Sequence, residues 1–292
     1  MKGIILAGGQ GTRLYPATIA INKQLLPVYD KPMIYYPLSL LMQIGIDDIL
    51  MICRAEDKTN YQKLLGNGEH LGIKIKYAVQ EKPNGIAEAF ILGEDFIGDQ
   101  SVALILGDNI FHGANLIENI CSYIYSGGSH EATIFSYEVK DPERYGVVEM
   151  DEFGKAMSIE EKPLKAKSNR AVTGLYLYDN RVIEMAKTLT PSARGELEIT
   201  DINRIYMEQE ELSVCSLSLG TVWLDTGTFE SLAEAGEYVK AIENRTGKKI
   251  ACIEEIALEE GYIEEDQFIK LANAYDSKGE YGQYLHMIAQ RL

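Results

Sequence analysis

Apolar and polar positions alternate along the first 110 residues in two different rhythms. KGIILA is a short unbroken apolar run closed by glycines, and DILMIC, IKIKYAV and SVALIL repeat that pattern. Between them, MIYYPLSLLMQIGI and GIAEAFILGEDFI carry helical spacing, the first with one internal proline. Strand-like runs alternating with helical stretches predict βαβ units, which make a Rossmann-like, mostly parallel sheet flanked by helices. From about residue 131 the rhythm changes. EATIFSYEVK, YGVVEMD, KAMSIEEKP and AVTGLYLYD are β-type runs joined by short turns, read as antiparallel strands added to the sheet or as a β-rich lid on it. RVIEMAKTL and ELEITDINRIYMEQE predict helices, and SVCSLSL and VWLD two more strands. TFESLAEAGEYVKAIENRTG places Phe229, Leu232, Ala233, Gly236, Val239 and Ile242 on one helical face, with Thr228 as its cap and Gly247 at its end. A helix-prone, acidic tail follows. With no repeat or Pro/Gly-rich linker, the expectation is one mixed α/β domain over residues 1–292. Its parts fall at about 1–130, 131–227 and 228–292.

Charge narrows the partners. The formal net charge of −16 argues against nucleic acid and anionic membranes, both of which reward basic surfaces. Residues 1–36 nevertheless carry Lys2, Arg13, Lys23 and Lys31 against Asp30 alone, so a compact anion site near the start of the sequence is expected. Cys53, Cys121, Cys215 and Cys252 lie far apart without metal-ligand spacing, and three of them sit in apolar runs as small core residues. GIILA is too short for a signal-peptide core and no run approaches a membrane span, so a reducing, cytoplasmic setting is expected.

The first apolar run leads into GGQGTRLYPATIAINKQ. Glycines after a buried strand let backbone amides approach a ligand closely, and the basic residues make that ligand an anion. Two common phosphate loops fail on required residues. No stretch supplies Gly-x4-Gly-Lys-Ser/Thr, and Leu14 stands where the dinucleotide fingerprint needs its third glycine. That failure also sets aside an NAD-linked oxidoreductase.

What remains, L-A-G-G-x-G-T-R-L-x-P-x-T with Lys23 ten residues after Arg13, resembles the signature of sugar-1-phosphate nucleotidyltransferases. KQLLPVYDKPMIYYPLS, PNGIAEAF, LGDNIFHG, YGVVEMD, IEEKP, VTGLYLYDN, RGELEITDIN and WLDTGTFESL follow in that family's order and are most similar to its glucose-1-phosphate thymidylyltransferase branch. Asn22, Glu88 and Phe229 depart from the serine, glutamine and histidine common at those places.

The resemblance implies attack of glucose 1-phosphate on the α-phosphorus of dTTP, giving dTDP-glucose and pyrophosphate with Mg²⁺ as cofactor. It makes Arg13, Lys23 and Lys162 the catalytic cations. It assigns the nucleotide to Gly8, Gly9, Gly11, Thr12, Gln24 and Asp108, with Gln80 and Gly85 reading the base. It assigns the sugar to Asn109, Gly146, Glu161, Lys162, Val172 and Tyr176. Asp108 and Asp225, each at a strand end, would hold the metal. The first part of the chain is then nucleotide-binding and the second sugar-binding. A homotetramer with feedback inhibition by dTDP-rhamnose is also implied. A uridylyltransferase shares the loop, metal pair and mechanism, and a nucleotide-sugar-sensing regulatory subunit is the non-enzyme alternative. His112 shows no partner pattern.

Overall fold

The strand Lys2–Ala7 lies inside a nine-stranded sheet, as a run with no polar side chain after its first residue requires. The computed structural model describes residues 1–125 and 131–292. Across the sheet the order is Ala156–Glu161, Gly146–Met150, Arg170–Tyr178, Val102–Leu106, Lys2–Ala7, Asp48–Cys53 and Lys74–Val79. The last four are mutually parallel, with Leu6 beside Leu106 and Ala7 beside Cys53. The β-type runs of the second part extend this same sheet: Arg170–Tyr178 joins Val102–Leu106 antiparallel and pairs in turn with Ala132–Glu138. Leu212–Ser216 is added parallel to Ala132–Glu138. The expected division near residue 130 falls at 126–130, outside the described residues.

Successive side chains of a strand face opposite ways, so one run feeds two cores. Ile5, Met51 and Ile105 pack with Leu38 and Leu41 from the helix Tyr35–Gln43. Ile4, Leu50 and Leu104 pack on the other face with Phe90, Ile202 and Tyr206. The C-terminal helices Ile253–Glu259, Glu265–Ala274 and Glu280–Ala289 insert Ile253, Phe268 and Leu285 into the first of these cores. Among the described residues no helix is long and apolar enough to cross a membrane. Cys53, Cys215 and Cys252 are buried thiols, and Cys121 is half-buried.

Three local expectations change. GIAEAFILGEDFI forms two short helices, Glu88–Leu92 and Glu94–Ile97, divided at Gly93. A side chain there would press on Ala89 O, Ile4 and Leu50, so the break lets the helix settle on the sheet. The residues after Val102–Leu106 form another strand, Asn109–Gly113, which pairs antiparallel with Thr221–Asp225 in a ribbon outside the main sheet. In the helix Phe229–Thr246, Thr228 and Ser231 make a reciprocal capping box and Gly247 ends it at φ 68°, as read from the sequence. The buried face, however, centres on Ala235, Val239 and Glu243, while Phe229 and Ala233 are exposed. The helix docks on Pro27–Val28 and Thr221–Asp225, with Met33, Tyr36 and Ile110, rather than on the nine-stranded sheet, which rotates its inner face.

Candidate active site

Strand order reverses on either side of Lys2–Ala7: Asp48–Cys53, the next strand of this sheet along the chain, lies to one side and Val102–Leu106 to the other. Ligands of such sheets bind in the crevice at the carboxyl ends of these strands. Gly8, Gly9 and Gly107–Asp108 stand there. Gly11 has φ 63° and begins the short helical turn Thr12–Leu14, its carbonyl accepting from Thr18 Oγ1 at 2.7 Å. A Cβ on Gly9 would meet nothing, so no packing within the chain demands that glycine. Arg13 is exposed and makes no hydrogen bond or salt bridge among the described residues.

Lys23 is 6% exposed, and its Nζ donates to Asp108 Oδ2 at 2.6 Å. Asn22 holds this segment in place. Its side chain donates to Asp57 at 2.7 Å and to Ala7 O at 3.3 Å, and accepts from Tyr61 Oη and the Gln24 amide. Gln24 Oε1 is buried without a hydrogen-bond partner, which is the state of an acceptor that a bound donor would satisfy.

The ribbon places Asp225 opposite Asn109 and so beside Asp108. Thr226 fixes the junction through N–H and hydroxyl bonds to Asp108 O, at 3.1 and 2.8 Å. Burial pushes the Asp108 carboxyl up, but the Lys23 charge and hydrogen bonds from Lys23 and Asn109 win and hold it below the usual carboxylate range. Asp225 goes the other way. Burial raises its carboxyl, with the Asp108 charge adding to the rise, against the opposing Arg144 charge and a Tyr145 hydrogen bond. Arg13 reaches the same turn: a Cβ on Gly227 would lie 3.4 Å from Arg13 Nη1 and 3.3 Å from Asp225 Oδ2.

One cavity of about 460 Å³ collects Arg13, Asp108, Asn109, Gly146, Glu161, Lys162, Val172, Tyr176 and Asp225 from six separate stretches of chain. Glu161 accepts from Thr200 Oγ1 at 2.6 Å and from Arg194 at 3.2 Å, and Gly146 packs directly over the Glu161–Thr200 pair. Lys162 leaves its strand at φ 42°, an uncommon backbone state for a residue with a side chain, and its Nζ lies 3.7 Å from Glu161. Gly8, Gly9, Gly11, Thr12, Lys23, Gln24, Gln80 and Gly85 do not line this cavity. They lie on the adjoining side, where Gln80 Oε1 packs so closely on Gly8 that a Cβ there would sit 2.3 Å from it. Gly85 has φ 109°, and its Cβ would lie 2.3 Å from Leu197 O, so contact with the opposite loop already requires a glycine.

The family model for nucleotidyl transferases matches residues 2–241. The chain belongs to that family. It is 56% identical to the glucose-1-phosphate thymidylyltransferase of Neisseria meningitidis, over 98% of each chain. It is 52% identical to the enzyme of that name from Mycobacterium tuberculosis, over the full length of both. A crystal structure from Bacillus anthracis, assigned as a glucose-1-phosphate thymidylyltransferase and holding a sucrose, superposes with a TM-score of 0.75 at 45% identity, covering 82% of this chain and 94% of that one.

Several parts of this nucleotidyl transferase's cavity escape sequence reasoning. Arg144 Nη2 and Tyr145 Oη donate to the two oxygens of Asp225, at 3.3 and 3.1 Å. Trp223 Nε1 and the Gly174 amide donate to Asn109 Oδ1, at 2.6 and 3.1 Å. A break in register between Val172 and Tyr176 carries Gly174 to that oxygen, where a Cβ would be only 2.6 Å away. The motifs around these residues are visible in YGVV and VWLD, but nothing in their spacing announces the contacts. His112, without a partner pattern in the sequence, bonds Tyr238 Oη at 2.6 Å.

Proposed function

We propose that the chain transfers the thymidylyl group of dTTP to α-D-glucose 1-phosphate, releasing pyrophosphate and dTDP-glucose. The observation that carries this reading is the junction of Asp108 and Asp225 beside Arg13 and Lys23, in the lining of a cavity that Glu161 and Lys162 also line. A phosphate oxygen of glucose 1-phosphate attacks the α-phosphorus. The bond from that phosphorus to the bridging oxygen breaks, and its electron pair leaves with pyrophosphate. The nucleophile is already an anion, so the protein supplies alignment and charge rather than a base.

Gly8, Gly9, Gly11 and Thr12 present backbone to the triphosphate, with Gln24 beside them. Arg13, without an internal partner among the described residues, meets the charge growing on the leaving pyrophosphate. Lys23 neutralises the reacting phosphates, and Lys162 holds the sugar phosphate. Glu161 accepts from sugar hydroxyls, while Asn109, Gly146, Val172 and Tyr176 shape the sugar pocket. Gln80 and Gly85 receive thymine.

The donor set fits a hard divalent cation. Two carboxylates converge, and no group of three His, Cys, Asp or Glu stands together among the described residues, so phosphate oxygens and water would complete the shell. Mg²⁺ held by Asp108 and Asp225 would polarise the phosphates bound there. We also infer a homotetramer that dTDP-rhamnose inhibits; light scattering showing a monomer, or full activity with dTDP-rhamnose present, would refute it.

The decisive assay is pyrophosphate release from glucose 1-phosphate with dTTP or UTP, with Mg²⁺ or with EDTA. Metal-dependent release favouring dTTP is expected. Release with UTP alone would move the substrate assignment to uridylyl transfer. Silence with both, while a dTDP-sugar still binds, would favour a sensing role.

A further inference from the structure

Glu88 departs from the glutamine common at its place in the family, and the structure gives it a specific task beside the base. Its Oε2 accepts from Gln80 Nε2 at 2.8 Å, and its Oε1 accepts from Asn84 Nδ2 at 2.7 Å. The second hydrogen on Gln80 Nε2 is directed at Gly85 O, 3.3 Å away. A carboxylate has no hydrogen to donate, so only the amide nitrogen of Gln80 can face it. Both donors of that nitrogen are then in use. Gln80 is 5% exposed, and with both donors of Nε2 engaged its amide is held in one orientation, which leaves Oε1 as its one hydrogen-bonding atom without a partner among the described residues, on the side of Gly8 and the strand ends.

We propose that Glu88 is a positioning residue that sets the polarity of base recognition, holding Gln80 as an acceptor toward the nucleobase. This rests on the reading that Gln80 receives the base. An acceptor there selects a ring whose imino nitrogen carries a hydrogen. Thymine and uracil offer N3–H, whereas N3 of cytosine is itself an acceptor and would face Oε1 with two lone pairs opposed. A site with a fixed buried hydrogen-bonding group rejects a mismatched ring far more strongly than an apolar slot does. Without Glu88 the amide is free to turn and offer its N–H, and discrimination against cytosine falls.

The test compares dTTP and dCTP as substrates for the wild-type chain, Glu88→Ala and Glu88→Gln, with folding of each checked by thermal melting. In Glu88→Ala the ratio of kcat/KM for dTTP over dCTP should fall by about tenfold or more, the loss for dTTP should sit in KM rather than kcat, and KM for glucose 1-phosphate should stay within about twofold. Glu88→Gln should recover most of the lost ratio, because its Oε1 can still accept from Gln80 while Asn84 turns its own carbonyl inward. An unchanged ratio in Glu88→Ala, or equal loss in both variants, overturns the proposal. Should Glu88→Ala not fold, equilibrium binding by the wild-type chain decides: N3-methyl-dTTP should bind at least about tenfold more weakly than dTTP, and equal binding overturns the proposal. A wild-type chain that binds dTTP over dCTP yet transfers nothing would sink the activity and leave Glu88's role standing.

Discussion

Arg13 and Lys23 divide the work of two cations by how each is held. Lys23 is buried against Asp108, whereas Arg13 is exposed and unpaired among the described residues. Arg13→Ala should therefore leave the fold and ground-state binding largely alone and cut kcat by about 10²–10³-fold, the usual cost of losing one donor aimed at developing charge. Steady-state pyrophosphate release measures it, and an unchanged kcat with a raised KM would count against the role. Asn109 has a second duty besides the sugar contact implied by the family resemblance. Its Oδ1 holds Trp223 Nε1 and the Gly174 amide. Asn109→Ala strands both donors in the interior and should lower unfolding free energy by about 2–5 kcal/mol in urea titrations. At this scale the sequence marks candidate chemical residues, because glycine loops and strand-end aspartates are local patterns. It hides Arg144, Tyr145 and Trp223, whose contacts depend on strands distant in the chain meeting in space.

At the scale of elements, the helix Phe229–Thr246 is anchored by charge as well as by apolar contact. Glu243 accepts from Lys31 at 2.7 Å, from Lys249 at 3.3 Å and from the Ile250 amide at 2.9 Å, and Asp30 binds both lysines. Burial pushes the Asp30 carboxyl up, but hydrogen bonds and charge from Lys249 and Lys31 overcome this and hold it below its ordinary value of 3.8. A carboxyl lowered on folding contributes stability that is complete above its unfolded value and fades as pH falls through the folded one. Chemical denaturation of the wild-type chain should thus lose stability below about pH 4 more steeply than Asp30→Asn does, and parallel curves would remove Asp30 from the account. The sequence already marks where this helix starts and stops, since caps are local. Its inner face is misjudged at Phe229 and Ala233 because periodicity cannot know which surface the helix meets. The helix break at Gly93 is hidden for the same reason: Ile4 and Leu50, which it fits, belong to other strands.

Over the whole molecule, the apolar rhythm is enough to lay down the four mutually parallel strands and two of the helical stretches between them, but it misses the helix Lys58–Leu65. The ribbon that joins Asp108 to Asp225 is hidden too, since the short Asn109–Gly113 stretch is a strand through its pairing with the distant Thr221–Asp225. On the proposed reading, two acidic groups at one spot should make nucleotide binding depend on a cation. With Mg²⁺ present, dTTP at about 100 times its dissociation constant should stabilise the chain by about 2.7 kcal/mol. With EDTA that gain should largely vanish in thermal melts, because the carboxylates then face the triphosphate directly. A final consequence lies in the contact between residues 80–88 and residues 194–200. Leu197 N donates to Asn84 O at 2.6 Å, Ala87 N donates to Leu197 O at 3.3 Å, and Gly85 lies flat against the same residue. For anyone building hybrids from relatives, residues 80–88 and 194–200 are a single exchangeable cassette. A chimera that takes them from different parents inherits a mismatched seam, and the two segments must be transplanted together.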